Sequence, residues 1–472
     1  MHKNKVITVL KSLPSDEIRQ LDKFVRSPIH NQHEDVVRLF QYLRKYLGGG
    51  ERALDKERVF GHLFPGMDFN MQQIHYLSSY LLKVVEDYLA WKAWKNDEAS
   101  VGLNLVKAYH AHRLEQSHKA TLSKVLSQHE SQQIRDAQHF SRLYQLRTQE
   151  YLAAKTQGRS RDFDLQQLID AQDVAFIIEK LKIGCNVLSH QALKKTQYNT
   201  GLIDAVMEFL KNHPFLEMPS VAIYYHAYLA LSDIGNESSF RELKKLLDIQ
   251  QAAFPVTDLR DLYLFAINFC IKQLNSGNQA YLREAFEIYS AGLSIDIFLE
   301  NGELSPWTYS NFIISGIRLG EFDKVEAFIK QYTQNLPEKE RDGLYRYNYA
   351  FLHYEKKDYQ KAMLMLSTTD YGKDLLTTCA AKTLLARMYF EQKETETLLN
   401  LLQSFKVFIS RKELLGYHKD SYGNFISTLL KLVGQRSAKA PNLQEIQSDL
   451  AGFKVVAAKD WLLEQASMLQ KP

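Results

Sequence analysis

Apolar residues along this chain recur every three or four positions far more often than every second one. Ile74, Leu77, Leu81, Val84, Tyr88 and Trp91 form one such stripe, and Val174, Ile177, Leu181, Cys185, Leu188 and Ala192 form another. That spacing puts each set on one face of an α-helix. No comparable run of apolar–polar alternation with β-branched residues is found, so the pattern predicts no sheet. Pro65 is followed by no proline before Pro214. Because proline in a helix interior costs about 3 kcal/mol, that gap leaves room for several long helices. The pattern predicts an all-α protein.

The first 95 residues read as a bundle of short helices. Ser15-Asp16-Glu17 supplies a cap and acidic residues ahead of Ile18, Leu21, Phe24 and Val25, and this helix must stop before Pro28. A second helix is predicted from about Glu34 to Leu47, ended by Gly48-Gly49-Gly50. A third runs from Asp55 to Phe64, and Asn70 is placed to cap the long helix bearing Ile74 to Trp91. Residues 96–215 read as long helices, or as early hairpins of the repeats that follow. A linker, Gly434 to Asn442, precedes an amphipathic stretch through Leu443, Ile446, Leu450, Phe453, Val456, Trp461 and Leu462, expected to cap the C-terminal end over 434–472.

Between them the chain repeats itself. Tyr309 to Pro337 reads as a helix, a Gly320-Glu321-Phe322 turn, a second helix and a terminating proline. Tyr347 to Leu366 repeats this, with Lys357-Asp358-Tyr359 at the turn and Tyr359 aligned to Phe322, and Leu385 to Leu402 repeats it again. Shorter matches run from Tyr224 to Pro255 (Phe240, Leu243, Leu247) and from Leu262 to Leu293 (Ala285, Tyr289). These residues resemble the tetratricopeptide family over roughly 220–412, matching its small-aromatic, Gly-Asp-Tyr, Ala and Pro positions and lacking its Trp and Gly in the first helix. The resemblance implies a right-handed solenoid of helical hairpins over 216–433, in which stacked neighbours share a core that no single hairpin could form. Phe24-Val25-Arg26-Ser27-Pro28 with Asn31, and Lys459-Asp460-Trp461-Leu462, are also similar to a family of uncharacterised long helical proteins of Bacteroidetes bacteria, which brings no known activity.

Composition sharpens the picture. Gly and Pro number 21 and 10 in 472 residues, too few for a turn-dense β fold. The formal charge is only +4, and it is unevenly spread: +4 over 1–95, +3 over 96–200, −8 over 201–340 and +5 over 341–472. An acidic middle argues against wrapping nucleic acid along the whole length. Cys185, Cys270 and Cys379 are too far apart for paired metal-ligand spacing and read as reduced, buried residues. The apolar run Val6–Leu10 is too short for a secretory signal, and no stretch approaches a membrane span, so cytoplasmic residence is expected.

Motifs that carry chemistry are not found. There is no Gly-rich phosphate loop, no Gly-x-Ser-x-Gly elbow and no His-Glu-x-x-His helix. His110, His112 and His118 form the most metal-like cluster, but on one helix they would span about 12 Å and point apart. His30, His33 and Glu34 near a helix start read as caps and surface. Gly158-Arg159-Ser160-Arg161-Asp162 reads as a helix connection rather than a phosphate contact. No metal and no cofactor is expected.

The expected function is a non-catalytic scaffold or adaptor that holds a protein or peptide in the groove of the array. Asn311 and Asn348 occupy equivalent places, one residue before Phe312 and Tyr349, with Asn268 a looser counterpart. An amide can bond both the N–H and the C=O of an extended peptide, and the tetratricopeptide resemblance implies that use. Arg318, Tyr347 and Tyr354 complete the candidate row. The alternative, that these asparagines bond neighbouring helices, stands beside it. A second function, a transcriptional regulator, would use residues 55–94 as a helix-turn-helix-like unit offering Gln72, Gln73, His75 and Tyr76 to DNA, although no cation follows until Lys83.

Overall fold

The computed structural model describes residues 4–48, 51–156, 164–193, 196–367, 374–411, 418–436 and 443–470. These form α-helices almost throughout, so the chain is all-α. None of the helices is long and apolar enough to cross a membrane among the described residues. Two compact units, 1–176 and 177–472, divide the chain.

In the first unit α1 (Lys5–Ser12), α2 (Ser15–Val25), α3 (Glu34–Tyr46) and α4 (Lys56–Leu63) pack against or beside α5 (Met71–Asn96). Asn70 caps α5 as expected, accepting from the Gln73 N–H at 3.1 Å. The α5 stripe is buried from Ile74 to Tyr88 in a core with Val6, Ile7, Leu21, Val25, Leu39 and Phe40. Trp91 leaves the stripe and is partly exposed. Asn31 holds the α2–α3 loop: its amide donates to the carbonyls of Val25 (2.9 Å) and His33 (3.2 Å) and its oxygen accepts from the His33 N–H. Of the glycines expected to end α3, Gly49 and Gly50 lie outside the described residues.

Beyond the 95 boundary, Asp97 caps α6 (Glu98–Ala111), which packs with α7 (Glu115–Glu130) and α8 (Ala137–Thr156) around Leu103, Val106, Leu122, Val125, Leu126 and Leu146. The basic turn 158–162 lies outside the described residues. Helix α9 (Leu165–Leu193) begins in this unit and buries Val174.

The second unit takes up α9 at Ile177, where Ile177, Leu181 and Cys185 are buried. It continues with α10 (Ile203–Leu210), α11 (Pro219–Ser232), α12 (Glu237–Ile249), α13 (Val256–Asn275) and α14 (Tyr281–Ser294). A two-stranded hairpin then departs from the expectation of no strand. Its strands β1 (Leu299–Glu300) and β2 (Glu303–Leu304) are joined by Asn301 and Gly302, both at positive φ, which is the backbone a two-residue hairpin turn requires. After it come α15 (Pro306–Arg318), α16 (Phe322–Tyr332), α17 (Glu338–Glu355), α18 (Tyr359–Ser367), α19 (Leu375–Glu391), α20 (Thr395–Arg411), α21 (His418–Arg436), α22 (Gln444–Gly452) and α23 (Lys459–Gln470).

From α11 to α20 consecutive helices pack as hairpin pairs, α21, α22 and α23 pack together, and α11 also packs on α13, α15 on α17, α17 on α19 and α19 on α21. One turn recurs inside the pairs. Gly277, Gly320, Lys357 and Lys393 each adopt the left-handed conformation just past the first helix, and the next residue's N–H reaches back five positions: Asn278 to Gln273, Glu321 to Gly316, Asp358 to His353, Glu394 to Tyr389. This is the Schellman C-cap, which satisfies otherwise orphaned carbonyls. The same turn joins α6 to α7, with Arg113 left-handed and Leu114 N–H on the Tyr109 carbonyl. Neighbouring pairs are also tied by polar side chains: Lys272 and Gln273 of α13 donate to the carbonyls of Leu231, in the last turn of α11, and of Ile234, just past its end, each at 2.7 Å. Leu443, Ile446, Leu450, Trp461 and Leu462 lie in one core with Phe390, Phe405 and Phe425. The three cysteines are buried and unpaired.

Candidate functional site

Helix α15, the first of its pair, has one stripe in the core and another facing outward. On α15 the core stripe includes Tyr309, Phe312, Ile313 and Ile317, with Phe312 ringed by Phe286 and Phe328 at 4.8 and 4.2 Å. The outward stripe, at spacings of four, three and four, is Trp307, Asn311, Ile314 and Arg318. Trp307 is 77% exposed and Ile314 38%, so two large apolar side chains stand in water beside two of the expected groove residues. Sequence reading did not find Trp307 or Ile314. Their signal is a second stripe on a helix already carrying a core stripe.

The expected row is only partly assembled. Arg318 is exposed and donates to Gln279 at 3.1 Å. Asn311 is half-buried and donates to the Tyr289 hydroxyl of α14 at 3.3 Å, and Asn268 donates to Ser189 of α9 at 3.4 Å, so both bond neighbouring helices. The expectation for Asn348 is corrected. It is fully buried within α17, its amide donating to the Leu344 carbonyl at 2.8 Å, and it presents nothing to a peptide. Tyr347 is half-buried. Tyr354 is 1% exposed and is likewise no groove residue, but it opens onto a different feature.

That feature is a pocket of about 450 Å³ bounded by the C-terminal ends of α17, α19 and α21 and by one face of α23. Glu391 organises its floor. It accepts from the hydroxyls of Tyr354 and Tyr359 and from the Trp461 indole N–H at 2.7 Å, and Lys357 lies 3.6 Å away. Burial pushes the Glu391 carboxyl up, but these donors outweigh it and hold the group below its ordinary value. Arg387 lies between two aromatic rings, its guanidinium 4.5 Å from the Tyr354 ring centre and 5.4 Å from that of Trp461. Its acidic neighbour Glu355 is 3.7 Å away, and burial raises the Glu355 carboxyl although Arg387 opposes it. Arg436 donates to the Phe390 carbonyl at 2.6 Å, covering the end of α19.

The histidines fall differently from the one-helix expectation. The left-handed Arg113 turns the chain, so His110 on α6 and His118 on α7 face each other with ring centres 5.4 Å apart. They lie on a cleft of about 1200 Å³ along α7 and α8, together with Leu122, Leu126, Arg147 and Ala153. Among the described residues no group of three or more His, Cys, Asp or Glu is arranged to hold a metal ion. A second pair, His129 and His139, is stacked at 4.1 Å and buried between α7 and α8.

Comparison with protein-family models, with curated proteins and with solved structures finds no match to this chain.

Proposed function

We propose that the chain is a non-catalytic, protein- or peptide-binding scaffold whose second unit is a tetratricopeptide-like solenoid. The observation that carries this reading is the outward stripe of α15 on a helix that belongs to a repeated hairpin. Four hairpin turns share one backbone geometry, at positions 277, 320, 357 and 393, and first helices pack side by side from α11 to α13 and from α15 through α17 and α19 to α21. Such packing sets the outward face of α15 beside that of α17. Trp307 and Ile314 flanked by Asn311 and Arg318 have the composition of a binding hot spot: an aromatic anchor, an aliphatic neighbour and an arginine. The acidic charge of residues 201–340, −8, favours a basic or neutral partner over a polyanion at this stripe.

The test is affinity capture from a lysate of the source cells, comparing wild type with Trp307→Ala/Arg318→Ala and washing at low and high salt. Both side chains are surface residues, so the melting temperature of the variant is expected to match wild type. A protein retained by wild type and lost by the variant supports the stripe. Identical capture by both overturns it, and nucleic acid released only by high salt would put the regulator reading first.

A further inference from the structure

We propose that the pocket between α17, α19 and α23 binds a small zwitterion, an α-amino acid with an apolar side chain. Arg387 is the first reason. Its side chain is only 17% exposed, yet its Nε is buried and makes no hydrogen bond among the described residues. Its carboxylate neighbour among the described residues, Glu355, is too distant at 3.7 Å for a hydrogen bond. That Nε is closed to solvent, so a ligand meets the terminal nitrogens of the fork, which likewise donate no hydrogen bond among the described residues, and a carboxylate is their matching acceptor.

Glu355 is the second reason. It lines the same pocket, sits against the same guanidinium and has no closer cation among the described residues. One under-paired cation and one under-paired anion therefore lie side by side. An α-amino acid carries the complementary pair, its ammonium nitrogen and carboxylate carbon held about 2.5 Å apart by covalent geometry. Laid antiparallel, its carboxylate meets Arg387 and its ammonium meets Glu355.

The remaining wall selects among zwitterions. Lys357, Arg387 and Arg436 face Glu355, Glu391 and Glu464, so the lining is balanced and a net-charged ligand would unbalance it. Glu391 is already engaged by three donors, and Arg436 by the Phe390 carbonyl. Phe390, Met468 and Leu469 supply an apolar surface for the ligand's side chain. The proposal does not rest on the scaffold reading: partner capture reads the α15 stripe, and ligand binding reads this pocket.

The experiment is titration of the full chain, followed by calorimetry and by melting temperature, with leucine, methionine and phenylalanine. Two analogues are run beside leucine: 4-methylpentanoate, which lacks the ammonium, and 3-methylbutylamine, which lacks the carboxylate. Saturable binding of at least one amino acid is expected, with both analogues at least tenfold weaker than leucine if leucine is the ligand. Arg387→Lys keeps the charge but loses the fork, and Glu355→Gln loses the anion; each is expected to weaken binding about tenfold or more while the ligand-free melting temperature stays near wild type. Binding of neither leucine, methionine nor phenylalanine overturns the proposal. So does equal binding of an analogue, which needs no destabilised variant to interpret.

Discussion

At the scale of single residues, two kinds of position have consequences that can be measured. The left-handed turn positions are occupied by glycine at Gly277 and Gly320 but by lysine at Lys357 and Lys393. A Cβ in this conformation meets the following carbonyl and costs about 1 kcal/mol. Lys393 is exposed, so Lys393→Gly is expected to raise stability by about 1 kcal/mol, and Gly320→Ala to lower it by a similar amount, both read from urea midpoints. Buried histidines make the second kind. Burial first, and then His129, Arg135 and Arg142, push His139 down to about 3, and burial pushes His129 the same way. Asp136 accepts the His139 backbone N–H, and Arg135 lies against its ring at 2.6 Å. Unfolding returns each imidazole to an ordinary value near 6.5, so the unfolded chain binds protons that the folded chain refuses. Stability is therefore expected to be independent of these groups above pH about 6.5 and to fall as the pH drops below it. Urea unfolding between pH 8 and 4.5 should show this loss, and His139→Gln should make it shallower. The caps at Asn70 and the stop before Pro28 were legible because both are local. The His110–His118 meeting was not, because it depends on a left-handed arginine that no residue preference announces.

At the scale of elements, helix starts and buried stripes were readable and their second faces were not. The Ile74–Tyr88 stripe is buried as its spacing requires, whereas Trp307 and Ile314 stand exposed at the same spacing. Periodicity says that a face is apolar, not what covers it. The β1–β2 hairpin was missed although Asn301-Gly302 is a strong turn signal, because two-residue strands are too short to alternate. The extra residues around this hairpin also account for the longer spacing of the turns at 277 and 320 compared with 320 and 357. The pocket was illegible for a different reason: its residues come from α17, α19, α21 and α23, and only folding brings Trp461 to Glu391. That bond ties α23 to α19. Trp461→Phe keeps the ring against Phe390 and Phe425 and removes the donor, so about 1.5–3 kcal/mol should be lost from the docking of α23. Hydrogen exchange should show faster exchange in α23 and unchanged exchange in α13 and α14.

At the scale of the molecule, the all-α class followed directly from proline placement and periodicity, while the division at 176 and 177 did not, since it falls inside α9 with no change of composition to mark it. If the second unit is a nearest-neighbour array, damage should stay near its source. Phe312→Ala empties the contact with Phe286 and Phe328 and should cost about 3–5 kcal/mol. The loss of protection is expected in α14 to α17 and not in α21 to α23. Uniform loss across the unit would argue against the solenoid. The hairpin tip also bears on how the molecule ages. Asn301 and Gly302 are both exposed, and glycine offers no side chain to shield its backbone nitrogen from the asparagine amide. Ring closure there releases ammonia and reopens to aspartate or isoaspartate, adding a negative charge between Glu300 and Glu303 and, in the isoaspartate form, a methylene to the backbone. Prolonged storage at alkaline pH should therefore mark this peptide first, and the pairing of β1 with β2 should decay with it.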